Sequence, residues 1–160
     1  MNRILRKDFK NIMRYTTNNE IENFKFTDTH IQFVEYSMGK FLVVADNVII
    51  CANNSCNRDI RDMRANNMGI TINNATIISF IKEGYKEYDP DGKLIRESQD
   101  EEVDKSDYES VIKSMEDGWL YTVTHKDDYE FIIDTADSTY AVTVKGDSDT
   151  EEWDRFLNLE

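Results

Sequence analysis

Cys56 is the residue of this 160-residue chain best suited by type to act as a nucleophile. It stands in the segment 52–69, ANNSCNRDIRDMRANNMG, with Arg58, Arg61 and Arg64 close behind it. A thiolate beside guanidinium groups is activated, and a histidine brought near by folding would serve as its base. The two histidines, His30 and His125, each stand at one end of a predicted strand, where an imidazole is usually a surface group. No family signature surrounds Cys56. A structural thiol is therefore the plainer reading, and a small enzyme built on Cys56 and the arginine-rich loop is the alternative.

Other chemistries are thinner. Neither His-x-x-x-His nor His-Glu-x-x-His occurs, which removes the zinc hydrolases that use those spacings. Four residues separate Cys51 from Cys56, unlike the cysteines of a zinc knuckle, and two cysteines are too few for a disulfide scaffold. They read as reduced thiols of a cytoplasmic protein, with a local disulfide as the alternative. Asp89-Pro90-Asp91-Gly92 lacks the later acidic positions, the closing Glu and the flanking helices of a calcium loop, and reads as a turn. The six glycines form neither GxGxxG nor GxxxxGK. No metal and no cofactor is expected. With 32 carboxylates, near pairs arise by chance, and none stands out as a catalytic pair.

The charge is more informative. Residues 1–80 carry 10 Lys/Arg and 8 Asp/Glu, whereas residues 81–160 carry 9 and 24, giving +2 and −15 and a net charge of −13. Such a field repels nucleic acid and anionic membranes and favours a basic partner. The acids gather in two runs: Asp100, Glu101, Glu102, Asp104, Asp107 and Glu109, then Asp147, Asp149, Glu151, Glu152 and Asp154. Solvated surface is the plain reading of either run; the functional reading takes Asp100, Glu101, Glu102, Asp104, Asp107, Glu151, Glu152 and Asp154 as a patch that docks a basic protein. Tyr108, Trp119 and Trp153 would anchor it if exposed, although their spacing favours the core. The expectation is a non-enzymatic intracellular binding protein, of inhibitor or immunity type. A structural or assembly subunit joined through an open sheet edge is the remaining alternative.

These residues need elements to hold them. Hydrophobic residues make up 39% of the chain, with eight Phe, eight Tyr and two Trp, enough for one domain over 1–160 with a core. No apolar run is long enough to span a membrane. Arg3, Arg6, Lys7, Lys10 and Arg14 precede no apolar stretch with a cleavage site, so residues 1–16 read as a basic amphipathic helix or arm rather than a secretory signal. Strands are predicted at 24–27, 31–36, 41–45, 48–51, 70–72, 75–81, 85–88 and 93–96. A turn is placed at Ser37-Met38-Gly39, and two-residue turns at Asn73-Asn74 and at Asp46-Asn47, where one long central strand buried on both faces is the alternative. Arg58, Asp59, Arg61, Asp62 and Arg64 suggest a charged helical turn pinned by Ile60 and Met63. Residues 97–105 read as an acidic surface loop. Ser106 with Glu109, then Tyr108, Val111, Ile112 and Met115, predict a helix over 106–117. Trp119–Val123, Tyr129–Ile133 and Tyr140–Val144 predict a meander. Asp149 with Glu152, followed by Trp153, Phe156 and Leu157, predicts a closing helix near 149–158. The fold class expected is α+β: a mostly antiparallel sheet of six to nine strands with two or three helices packed on it.

Overall fold

The structure, a computed structural model, describes residues 13–159. It corrects the expected fold class. The described residues form a mostly antiparallel β protein of fifteen strands, in sheets of ten, three and two. The only α-helix among them is α1 (Tyr108–Lys113), entered through a 3-10 turn at Lys105–Asp107, in place of the two or three helices expected. The predicted N-terminal helix lies outside the described residues except at its last positions. Residues 15 and 16 of that segment belong to strand β1 (Tyr15–Asn18).

The predicted closing helix is instead strand β15 (Ser148–Trp153), which pairs antiparallel with β1 on one side and with β7 (Met68–Asn73) on the other. The misreading has a physical cause. Asp149, Glu151 and Trp153 alternate inward on this strand and are all buried. Two of the three inward positions are carboxylates, so the period of two is invisible to hydropathy. The Asp149/Glu152 capping-box pattern, with Trp153, Phe156 and Leu157 at helical spacing, then mimics a helix.

The large sheet runs β1, β15, β7, β4 (Lys40–Asp46), β3 (Thr29–Ser37), β12 (Trp119–His125), β13 (Tyr129–Asp134), β14 (Thr139–Lys145), β8 (Thr76–Lys82) and β11 (Glu101–Glu102). Only Asn74 and Ala75 join β7, third in this order, to β8, ninth, so the sheet must fold over on itself. Contacts across the fold confirm it. Phe41 on β4 lies 4.9 Å from Phe131 on β13, and the Tyr36 hydroxyl of β3 accepts from the Ile77 amide of β8. The core fills the space between the two wings, with Ile31, Val43, Ile70 and Ile72 against Ile133, Val142 and Val144. A smaller sheet of β2 (Phe24–Lys25), β5 (Val48–Ile50) and β6 (Met63–Ala65) extends this core towards Trp153.

The two predicted asparagine turns are not hairpins. A two-residue type I′ turn needs positive φ at both central residues. Met38 (φ 51°) and Gly39 (φ 71°) satisfy this and join β3 to β4. At Asp46-Asn47 and Asn73-Asn74 only the second residue is left-handed, at 60° and 50°. Each acts as a single swivel: Asn47 sends β4 into the small sheet, and Asn74 sends β7 across to the far wing. The meander of β12, β13 and β14 forms as predicted.

Segment 52–69 contains no helical turn, and Ile60 is exposed instead of pinning it. Buried asparagines order it. Asn57 Nδ2 donates to the carbonyls of Ile50, Cys51 and Arg61, each at 3.1 Å, and its Oδ1 accepts from Asp59 N. Asn57→Ala removes all four of these bonds, leaving the Cys51 carbonyl only its bond from the Asn54 amide. It should lower stability by about 1–3 kcal/mol. A shifted urea midpoint would show this; an unchanged midpoint would mean that the loop adds nothing to folding.

Candidate functional site

The residues of the cysteine hypothesis are not brought together. The Cys56 thiol meets the main-chain carbonyl of Thr16 at 3.7 Å. Arg61 pairs with Asp59, and Arg64 donates to the Asn158 carbonyl. Arg58 is exposed. His30 sits on β3 against Trp119 and 3.6 Å from Asp117, while His125 ends β12 and stacks on Tyr129. No hydrogen bond or ion pair joins Cys56 to an arginine or a histidine among the described residues. Both cysteines are free, and burial raises the Cys51 thiol above its ordinary range, helped by the nearby Asp62. No group of three or more His, Cys, Asp or Glu side chains among the described residues is arranged to hold a metal.

The expected acidic patch divides into an outside and an inside. Asp100, Glu101, Glu102, Asp104 and Asp107 are exposed around β11 and the 3-10 turn that follows. This corrects the loop expected at 97–105. It opens with the end of strand β10 (Leu94–Ser98) and contains β11, whose pairing to β8 edges the large sheet. Asp104 caps the turn by accepting from the amide and hydroxyl of Ser106, which hold its carboxyl below the usual range. The capping residue is thus Asp104, not Ser106. The second run does not join this patch. Glu152 and Asp154 are half-buried at the β15 end of the sheet, and Arg14 pairs with Asp154. Glu151 is fully buried, which removes it from any docking surface.

Glu151 belongs to a buried cluster instead. Thr17 Oγ1 of β1 donates to Glu151 Oε1 at 2.7 Å. Asp149, two residues earlier on the same face, accepts from the Tyr129 hydroxyl at 2.7 Å and from the Ile21 amide at 3.1 Å. Glu151 Oε2 has no ordinary donor. Burial, then the hydrogen bond and charge of Asp149, push the Glu151 carboxyl up to about 10. At neutral pH Glu151 therefore keeps its proton and donates it to Asp149. Burial and the same Asp149 carboxylate also raise the Tyr129 phenol. At the rim, burial raises Glu20, but hydrogen bonds from Ser55 and Asn23 outweigh it and leave that carboxyl low. The cluster ties β1 and the turn at Ile21–Asn23 to β15 and β13. It is enclosed, so it serves the fold rather than a ligand.

One exposed feature escaped the sequence reading. Among the described residues, strands β9 (Tyr85–Tyr88) and β10 pair only with each other, as a two-stranded ribbon. Tyr85, Tyr88, Leu94 and Ile95 on it are 44–61% exposed. The signal was present: these apolar residues fall on both parities of their strands, as no half-buried strand allows. Of the three anchors suggested from sequence, Trp153 is buried and Tyr108 packs against Phe80 in a groove beside α1. Trp119 is half exposed beside His30.

The buried pair sets a pH dependence. The native state holds a proton on Glu151 that the unfolded chain releases above its ordinary carboxyl value. Its stabilisation is complete below about 4.5 and is lost as pH rises towards about 10. Glu151→Gln keeps the neutral geometry and cannot ionise. Melting curves should match wild type near pH 5 and show the variant more stable near pH 9, by up to about 1 kcal/mol per pH unit between. Parallel curves for the two proteins would show that Glu151 carries no such proton.

No protein-family model, curated protein or solved structure matches this chain, so what it binds must be read from its own geometry and charge.

Proposed function

We propose that this chain is a non-enzymatic binding protein that engages a basic protein partner through the exposed carboxylates at the β11 end of the large sheet. The supporting observation is that few of these charges are paired, although Lys82 stands opposite Glu101 in the β8–β11 ladder. Glu101, Glu102 and Asp107 make no ion pair with any described residue. Asp100 and Asp104 each use a single oxygen, on Gly84 N and on Ser106. Lys105 is the only cation between Glu97 and Asp107. A field of this sign attracts a basic protein and repels nucleic acid and anionic lipid. An inhibitor that sets carboxylates where a basic toxin or nuclease binds phosphates is the concrete form.

The other readings have less behind them. Cys56 makes no contact with a base among the described residues. Assembly through an open edge would use β1 or β11, which are four and two residues long, and short edge strands disfavour such pairing. No helix of the described residues is long and apolar enough to cross a membrane.

The tagged protein, incubated with lysate of its own source cells, should retain one basic protein at low salt and release it as salt rises. With that protein purified, Glu101→Lys with Glu102→Lys should slow association about tenfold. Cys56→Ser should leave both rate constants unchanged. Binding that ignores salt and charge reversal would overturn the reading, and so would an absence of any basic partner.

A further inference from the structure

The ribbon of β9 and β10 leaves the body where β8 ends, and among the described residues both of its faces are exposed, with only the Tyr85 end beside the 137–139 turn. Tyr85 pairs with Ser98 and Glu87 with Arg96 on one face, while Lys86 pairs with Glu97 and Tyr88 with Leu94 on the other. Ile95 is the extra residue of a bulge. Large apolar groups therefore project in two directions. Two strands cannot make a core for themselves, and a bare ribbon is marginal in water. This one is held by particular devices. Arg96 Nη2 lies 2.7 Å from Glu87 Oε2, and Lys86 pairs with Glu97 at 4.0 Å. Asp89 Oδ1 accepts from the amides of Asp91 and Lys93, and Gly92 takes the left-handed position at φ 84°. At the root, a Cβ on Gly84 would stand 2.1 Å from the Ser98 carbonyl oxygen, so only glycine allows the strands to close there. The Gly84 amide also donates to Asp100, fixing the ribbon to the acidic segment.

We propose, resting on the function proposed above, that this ribbon is the partner's anchor: it inserts into an apolar cleft rimmed by lysine and arginine on the basic protein. Tyr85, Tyr88, Leu94 and Ile95 fill the cleft and the surrounding acids meet its rim. Residues 83–107 carry ten carboxylates against four cations, so the apolar side chains stand inside a negative frame. Buried aromatic and aliphatic anchors within a charged rim are the arrangement that concentrates binding energy. A ribbon already ordered by its turn and its ion pairs loses little conformational entropy on docking. The same charge argues against a second copy as occupant, since each copy carries −13 and would bring like frames together. The bulge at Ile95 and the charges at Lys86, Glu87, Arg96 and Glu97 disfavour strand addition along the ribbon edges. Recognition is by inserted side chains.

The test combines cross-linking with substitution. A photo-activated cross-linker placed in turn at Tyr88 and at Ile95 should capture the same basic protein. At Met38 and Ile60, which are 96% and 94% exposed on loops elsewhere, it should not. Capture of a second copy, of lipid, or of the partner equally from all four positions would overturn the proposal. With the partner purified, Tyr88→Ser, Leu94→Ser and Ile95→Ser together should weaken binding about 30-fold or more. The melting temperature, which reports the body of the fold, should be unchanged. If this variant loses structure, Ile95→Ser alone should still weaken binding at unchanged melting temperature. Partner binding that remains salt-sensitive but ignores these substitutions would overturn the anchor alone. Loss of the salt-sensitive partner itself would overturn the underlying function.

Discussion

Two carboxyl groups face the interior from one strand, and the folded sheet depends on how they are neutralised. Asp149 and Glu151 occupy inward positions of β15, where a β protein of this size would ordinarily place Val or Ile. A lone buried carboxylate costs several kcal/mol, and two side by side cannot both ionise. One proton held on Glu151 resolves the conflict. Four groups then converge on the pair: the hydroxyls of Thr17 and Tyr129, the amide of Ile21 and, through the Asp149 amide, the side chain of Asn19. These come from β1, from β13 across the core and from the turn leading into β2. The pair thus links the first described strand, the last strand and the opposite wing. An apolar isostere would fill the space but would not select these partners.

The same residue type does opposite work at the other end of the sheet. Around β11 the carboxylates stay in water and meet few cations, so their charge reaches outward. Burial separates the two roles. In the proposed function a partner arriving from solution encounters only the second group, next to a ribbon whose apolar side chains are exposed among the described residues. Long-range attraction and short-range anchoring are then adjacent, joined physically by the bond from Gly84 to Asp100. The ribbon also continues the chain beyond β8 without presenting a flat, pairing-competent edge.

Much of the fold was legible because apolar alternation survives where strands are half-buried. The meander at 119–145 and the hairpin at Met38-Gly39 follow from period-two patterning and turn chemistry, and both are present. The errors cluster where other forces took the buried positions. At 149–153 carboxylates replaced apolar groups inside, which produced a false helix. In segment 52–69 asparagine side chains, not charge pairs, satisfy the backbone, and Asn57 alone bonds three carbonyls. The paired-asparagine turns misled because a single left-handed residue redirects a strand as readily as two reverse it.

Composition and order by themselves determined that the chain would be rich in antiparallel strands, that it would carry a strongly negative C-terminal half, and that it would lack the familiar spacings of metal and phosphate sites. These follow from local preference and from charge, which need no knowledge of neighbours. Only the tertiary structure decided which acids are inside, that no described residue sets a base beside Cys56, and that the Asp-Pro-Asp-Gly turn tips a ribbon exposed on both faces among the described residues. Burial and contact depend on strand order, and strand order here turns on Asn74 and Ala75, which carry the chain from the third strand of the sheet to the ninth.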